Sequence, residues 1–222
     1  MNSKIINTVV LGLVILNLIG CNDEPDLLPL PTPPSDLNSK PLSDTEVELK
    51  WLDNSSSEEG FVIERQIVFQ PWYIMDTVAS NENTYTDTGL ESLEVYYYRV
   101  YAYNSDHPIG EYSNESRAQT FGVPTVHNAW PRFVTSDAIG ASIYLNDHGG
   151  QPIYEHGVIW DTTMDPDTTS ATTTKQGPSR KDEYSFYDIT GLQPNTSYYV
   201  RGYAINSIGI AYSPSIQVTT DE

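Results

Sequence analysis

Gly89-Leu90, followed by Tyr96-Tyr97-Tyr98-Arg99-Val100-Tyr101-Ala102-Tyr103-Asn104-Ser105, decides how this chain folds, because the chain carries it twice. The second copy lies 102 positions further on (Leu90 against Leu192) and reads Gly191-Leu192, then Tyr198-Tyr199-Val200-Arg201-Gly202-Tyr203-Ala204-Ile205-Asn206-Ser207. Tyr112-Ser113 and Tyr212-Ser213 follow, after a connection two residues longer in the first copy. A period near ~100 residues is the size of a whole domain, not of a solenoid repeat. Strand period 2 puts Tyr96, Tyr98, Val100 and Ala102 on a core face. It turns Tyr97, Arg99, Tyr101 and Tyr103 outward. In the second copy the outward row is Tyr199, Arg201, Tyr203 and Ile205.

The spacing of leucine, five residues, then tyrosine at Leu90/Tyr96 and Leu192/Tyr198 resembles the fibronectin type III family. There the tyrosine opens strand F, and its hydroxyl bonds back to the backbone as a tyrosine corner. The resemblance implies an all-β chain with two tandem fibronectin-III-like sandwiches, over residues 34–121 and 122–220. The break between them is expected near Gly122-Val123-Pro124.

The remaining patterns fit this plan. Val47, Leu49 and Trp51 alternate with Glu46, Glu48 and Lys50, as in a half-buried strand. Asp53-Asn54-Ser55 reads as a turn. Phe61 to Arg65, Trp72 to Val78 and Thr84 to Asp87 read as further strands, with Glu64 placed to pair across the sheet with Arg99. In the second half, Ala141 to Leu145 takes the place of the Trp51 strand without a matching tryptophan. The Gly149-Gly150 turn, Ile153 to Trp160 and the run Gly191 to Thr196 resemble a fibronectin-like variant common in Bacteroidota surface proteins.

The chain of 222 residues has 30 acidic against 11 basic residues. That field repels nucleic acid, which is excluded as a partner, and also anionic headgroups. The single cysteine, Cys21, allows no internal disulfide, so packing alone must hold both cores. Sixteen tyrosines, with many Thr, Ser and Val, favour strands.

Lys4 and the apolar run Ile5 to Ile19 read as a signal peptide over residues 1–20. Its 15 residues at ~1.5 Å each reach ~22 Å, short of a ~30 Å hydrocarbon core. Leu18-Ile19-Gly20-Cys21 resembles the lipobox of bacterial lipoproteins. That family's chemistry lipidates the cysteine thiol and cuts before it. The competing reading is an ordinary signal peptide with a chance cysteine. Acidic residues at Asn22-Asp23-Glu24-Pro25-Asp26 resemble the surface-export signal of Bacteroidota lipoproteins, or serve as a solvated tether. Residues 21–33, proline-rich from Leu28, would be an extended spacer.

Candidate chemistry is sparse. No HExxH, GxSxG, Walker loop or CxxC pair occurs, and His107, His127, His148 and His156 read as dispersed surface histidines, so no enzyme and no cofactor are expected. Asp161, Asp165 and Asp167 offer oxygens of the kind calcium takes. Their spacing matches no complete calcium loop, and aspartates also form turns. Trp72 with Tyr97, Tyr101 and Tyr103 forms either an exposed aromatic platform for a glycan or a set of cross-strand packing pairs. Thr77, Thr162 and Thr168 follow aspartates in short runs that resemble the O-glycosylation motif of Bacteroidota exported proteins. The expectation is a non-catalytic lipoprotein of the outer membrane, displayed at the cell surface, with adhesion, scaffold or spacer modules for an extracellular glycan or protein. The alternative is a glycan-binding accessory lipoprotein of a polysaccharide-uptake system.

Overall fold

Alternating apolar residues with no helical period leave the chain one way to bury a face, which is to stack two sheets. A computed structural model describes residues 27–179 and 182–222, with strands and no helix among them. The signal segment, Cys21 and the acidic run to Asp26 lie outside the described residues.

The first half contains β1 (Ser35–Pro41), β2 (Glu46–Leu52), β3 (Gly60–Ile67), β4 (Tyr73–Ala79), β5 (Thr84–Thr88), β6 (Val95–Tyr103) and β7 (Ser116–Gln119). One sheet has the order β1-β2-β5, and the other β4-β3-β6-β7, all antiparallel. Val47, Leu49 and Trp51 from one sheet meet Phe61, Ile63, Tyr98 and Val100 from the other in a single buried cluster. The alternation in β2 is strict, with Val47, Leu49 and Trp51 buried between more exposed neighbours.

The second half contains β8 (Thr125–Val126), β9 (Trp130–Val134), β10 (Ala138–Asp147), β11 (Glu155–Asp161), β12 (Thr172–Thr173), β13 (Glu183–Thr190), β14 (Ser197–Ile205), β15 (Ile210–Tyr212) and β16 (Ile216–Thr219). Strand β10 pairs with β13 on one side and with β8 and β9 on the other. Strand β14 pairs with β11 on one side and with β15 and β16 on the other. A second, separate cluster of Ile139, Ile143, Leu145, Val158, Ile189 and Val200 fills the space between these sheets.

The last strand of each sandwich is broken at the same residue type. Ser113 donates its N–H to Val100 O (2.8 Å), while its hydroxyl accepts from Val100 N–H (3.1 Å). Ser213 does the same with Gly202, at 2.9 Å in both directions. The hydroxyl stands in for a ladder carbonyl, so the strand bends without leaving an unpaired buried N–H.

Candidate functional site

Each six-residue spacing places a hydroxyl on a backbone amide. Tyr96 Oη accepts from Glu91 N–H at 2.9 Å, and Tyr198 Oη accepts from Gln193 N–H at 3.0 Å. Leu90 and Leu192 are buried beside them. A threonine secures the same loop in each sandwich: Thr120 Oγ1 donates to Glu91 O and Thr220 Oγ1 to Gln193 O, both at 2.6 Å.

The outer face of β3 and β6 carries the aromatic row. Arg99 lies between two rings, 4.3 Å from the Trp72 centroid and 3.8 Å from that of Tyr112. Its Nε and Nη2 both reach Glu64 Oε2, at 2.7 and 2.6 Å, across the Glu64–Arg99 register pair. Tyr112, arriving on the next strand segment, sets its ring edge-on to Tyr101 at 5.3 Å. Tyr101 is thereby only 4% exposed, and burial, followed by the nearby Glu64 carboxylate, pushes its hydroxyl pKa up. Tyr97, Tyr103 and Trp72 are half-buried.

Of the two readings of Trp72, Tyr97, Tyr101 and Tyr103, this geometry fits the packing pairs and not a solvent-facing strip. Period 2 fixes which side of a sheet a residue takes, but not what covers that side. Here Tyr112 covers the middle of the row, and the ring faces of Trp72 and Tyr112 are taken by a guanidinium. The second sandwich repeats the device. Arg201 lies 4.6 Å from the Tyr212 ring, and Tyr203 is fully buried, with its hydroxyl 3.0 Å from both Glu155 Oε1 and Thr174 O.

The three aspartates do not converge. Asp161 Oδ1 accepts the N–H groups of Thr162 and Thr163, Asp165 Oδ1 accepts the Ser215 hydroxyl, and Asp167 Oδ1 accepts from Thr169 and Ser170. Asp161 and Asp167 each close their own turn while Asp165 ties its loop to Ser215, and among the described residues no three ligand-type side chains form a metal-holding group. The Thr169 hydroxyl, then its N–H and the Ser170 hydroxyl, bring the Asp167 pKa down to about 2.

Thr77 and Thr162 are exposed, whereas Thr168 is half-buried with its hydroxyl 3.0 Å from Tyr212 Oη. His156 is not a surface histidine. It is 3% exposed, with Nδ1 2.8 Å from Gly177 O and Nε2 2.9 Å from the Ser185 hydroxyl. The carbonyl can only accept, so Nδ1–H donates to it, and Nε2 is bonded to the Ser185 hydroxyl. Because His156 lies on β11 and Ser185 on β13, this bond clips the two sheets together.

Three buried polar residues of structural weight are not among the candidate residues of the sequence. Asp87, 1% exposed, accepts from Arg65 Nη1 at 2.7 Å and Tyr98 Oη at 2.9 Å. Asn104 and Asn206, the repeated residues after Ala-x, are buried and clamp the segment leading into each sandwich. Asn104 Nδ2 donates to Pro29 O (2.8 Å) and Ser57 O (3.0 Å), and Asn206 Nδ2 to Gly122 O (2.7 Å) and His148 O (2.8 Å). Their recurrence in the repeat was the available signal.

Residues 32–119 match the Fibronectin type III domain family. The chain is all-β, with two tandem fibronectin-III-like sandwiches. No curated protein matches it. Among solved structures, the crystal structure of the chicken CNTN1 FN1-FN3 domains is similar at 19% identity and a TM-score of 0.40, covering 88% of this chain and 69% of that one.

Proposed function

We propose that this chain is a non-catalytic surface lipoprotein, anchored at the outer membrane through a lipid on Cys21, whose sandwiches act as adhesion, scaffold or spacer modules. Fibronectin type III domains are typically non-catalytic modules of this kind, and the matched segment supports that part of the reading. The observation that carries it is the clamping of each lead-in segment by a buried asparagine, Asn104 on Pro29 and Asn206 on Gly122. A module that grips the chain entering it transmits position along the chain, which suits a standoff from a membrane. Of the three threonines in the short aspartate-threonine runs, Thr77 and Thr162 are exposed and would be the sites of O-glycosylation.

The anchor is tested by Cys21→Ala. The variant should lose acylation and leave the membrane fraction, and whole cells of the native strain should expose both sandwiches to added protease. An acylated, membrane-bound Cys21→Ala protein would refute the anchor. Protease resistance on intact cells would move the protein to the periplasmic leaflet.

A further inference from the structure

The second sandwich carries a different aromatic face, on the outer side of β9, β10 and β13. The middle strand β10 contributes Gly140, Ser142 and Tyr144 to it. Opposite Ser142 stand Trp130 on β9 and Phe186 on β13; Phe133 and Asp188 stand opposite Gly140, and Tyr184 opposite Tyr144. The small middle residues let the rings close in over them. Ser142 is only 8% exposed despite lying on the outer face, and a Cβ on Gly140 would sit 2.3 Å from the Phe133 ring. The rings themselves stay open, with Trp130 46%, Phe133 41%, Tyr184 56% and Phe186 57% exposed. Among the described residues nothing like Tyr112 covers them, in contrast to buried Tyr101 on the first sandwich.

The size and charge of this face select its occupant. Four aromatic side chains of roughly 200 Å² each, about half open, give roughly 400 Å² of ring surface. A stable protein interface needs ~800 Å² from each partner, so a second copy of this chain would be underheld here. The charges at the rim include a matched pair: Arg132 lies 3.8 Å from Asp188 and 4.8 Å from the Phe186 ring centroid. The Arg132 guanidinium is thereby already held by a carboxylate, and the Asp188 and Asp182 carboxylates beside the rings disfavour an anionic ligand. Hydrogen-bonding groups fringe the rings: the Tyr144 hydroxyl, donating to Asp182 at 3.0 Å, and His127, stacked on Tyr144 at 5.5 Å. Flat rings bordered by hydrogen-bonding groups match a ligand with C–H faces and many hydroxyls.

We infer that the outer face of the second sandwich, at Trp130, Phe133, Tyr184 and Phe186, is a binding platform for an uncharged oligosaccharide. This site is independent of the lipid anchor. The whole chain is titrated calorimetrically with β-1,4-glucohexaose, α-1,4-glucohexaose, β-1,4-xylohexaose and β-1,4-mannohexaose, while intrinsic tryptophan fluorescence is followed. At least one hexaose should bind and shift the emission. Trp130→Ala and Phe186→Thr, the latter keeping a strand-forming residue, should each weaken binding at least ~10-fold, with the melting temperature retained. Tyr101→Phe, on the other sandwich, should leave binding unchanged. Silence with all four hexaoses at millimolar concentration overturns the inference, as does undiminished binding by the Trp130→Ala/Phe186→Thr double variant. A concentration-dependent dimer that the double variant abolishes would assign the face to a second copy instead. None of these outcomes touches the fractionation of Cys21→Ala, so the two readings fail separately.

Discussion

Phe121 and Gly122 are neighbours in the chain but belong to different hydrogen-bond systems. Phe121 donates to Ser43 O (3.1 Å) and accepts from Leu93 N–H (3.2 Å) and the Ser92 hydroxyl (3.0 Å), all in the first sandwich. Gly122 donates to Gly149 O (2.9 Å) and accepts from Asn206 Nδ2 (2.7 Å), both in the second. No uncommitted residue separates the two sets. A β-carbon on Gly122 would fall 2.5 Å from the Leu93 side chain, so any larger residue here would have to push Leu93 and Ser92 aside.

Inserting Gly-Ser-Gly-Ser between Phe121 and Gly122 should therefore free the junction without unfolding either sandwich. Small-angle scattering of the inserted chain should show a broader distance distribution and a larger radius of gyration, as a flexible linker allows. Melting should change little. If the native chain already scatters as a broad ensemble, the junction is not a constraint.

The corner hydroxyls give a second test. Tyr96→Phe leaves Glu91 N–H without its acceptor, and Tyr198→Phe leaves Gln193 N–H likewise. Each should cost ~1–3 kcal/mol. The loss should appear only in the sandwich that carries the change, read by denaturant unfolding of the full chain. Wild-type stability in both variants would show that neither bond matters.

What the sequence displays follows the range of each interaction. The corner is confined to six residues of one segment, and the half-buried strand β2 shows its period within Glu46–Leu52, so both can be seen without knowing any pairing. The aromatic row was visible as residues, but its burial depends on Tyr112 crossing from the next strand segment. The second aromatic face depends on register as well. Trp130 and Phe186 lie far apart in sequence and come together only because both stand opposite Ser142. His156 looked like a surface histidine because its partner, Ser185, lies 29 residues away in the facing sheet.

Burial of Tyr101 predicts a loss of stability rather than of a surface contact. Tyr101→Ala should destabilise the first sandwich by ~3–5 kcal/mol, the range for a large buried ring. Arg99→Lys keeps the charge beside Glu64 but gives up the planar stack between Trp72 and Tyr112, at a cost of ~1 kcal/mol. Urea titration of both variants checks the order. An Arg99→Lys chain as stable as wild type would mean the stack contributes nothing.

Acid should weaken the second sandwich through its turn aspartates. The Asp167 pKa falls from 3.8 to about 2 through the Thr169 hydroxyl, the Thr169 N–H and the Ser170 hydroxyl. Asp161 is lowered by the N–H groups of Thr163 and Thr162. A carboxyl with a depressed folded pKa lends stability that is fully present above its unfolded value and lost as pH falls through the folded one. For Asp167 the window runs from about pH 4 down to about pH 2. Melting temperature against pH should drop through that window in the native chain and more shallowly in Asp167→Ala. Parallel curves would remove Asp167 from the account.

Asp87 should be the most sensitive polar position of the first sandwich. Its carboxylate is almost fully enclosed, facing Arg65 and the buried Tyr98 hydroxyl. The Asp87 charge and hydrogen bond hold the Arg65 pKa up, against the burial that would lower it. Removing one member of such a pair strands the other, which costs ~3–5 kcal/mol. Asp87→Ala should do this. Asp87→Asn, which keeps an acceptor for Tyr98 but no charge for Arg65, should fall between Ala and wild type. Tyr98→Phe removes a single bond to the carboxylate and should cost ~1–3 kcal/mol. If the Asp87→Ala/Arg65→Met double variant is no more stable than Asp87→Ala, the penalty does not come from the stranded guanidinium. A double variant that recovers most of the loss identifies the pair as a device that specifies the core rather than one that adds net stability.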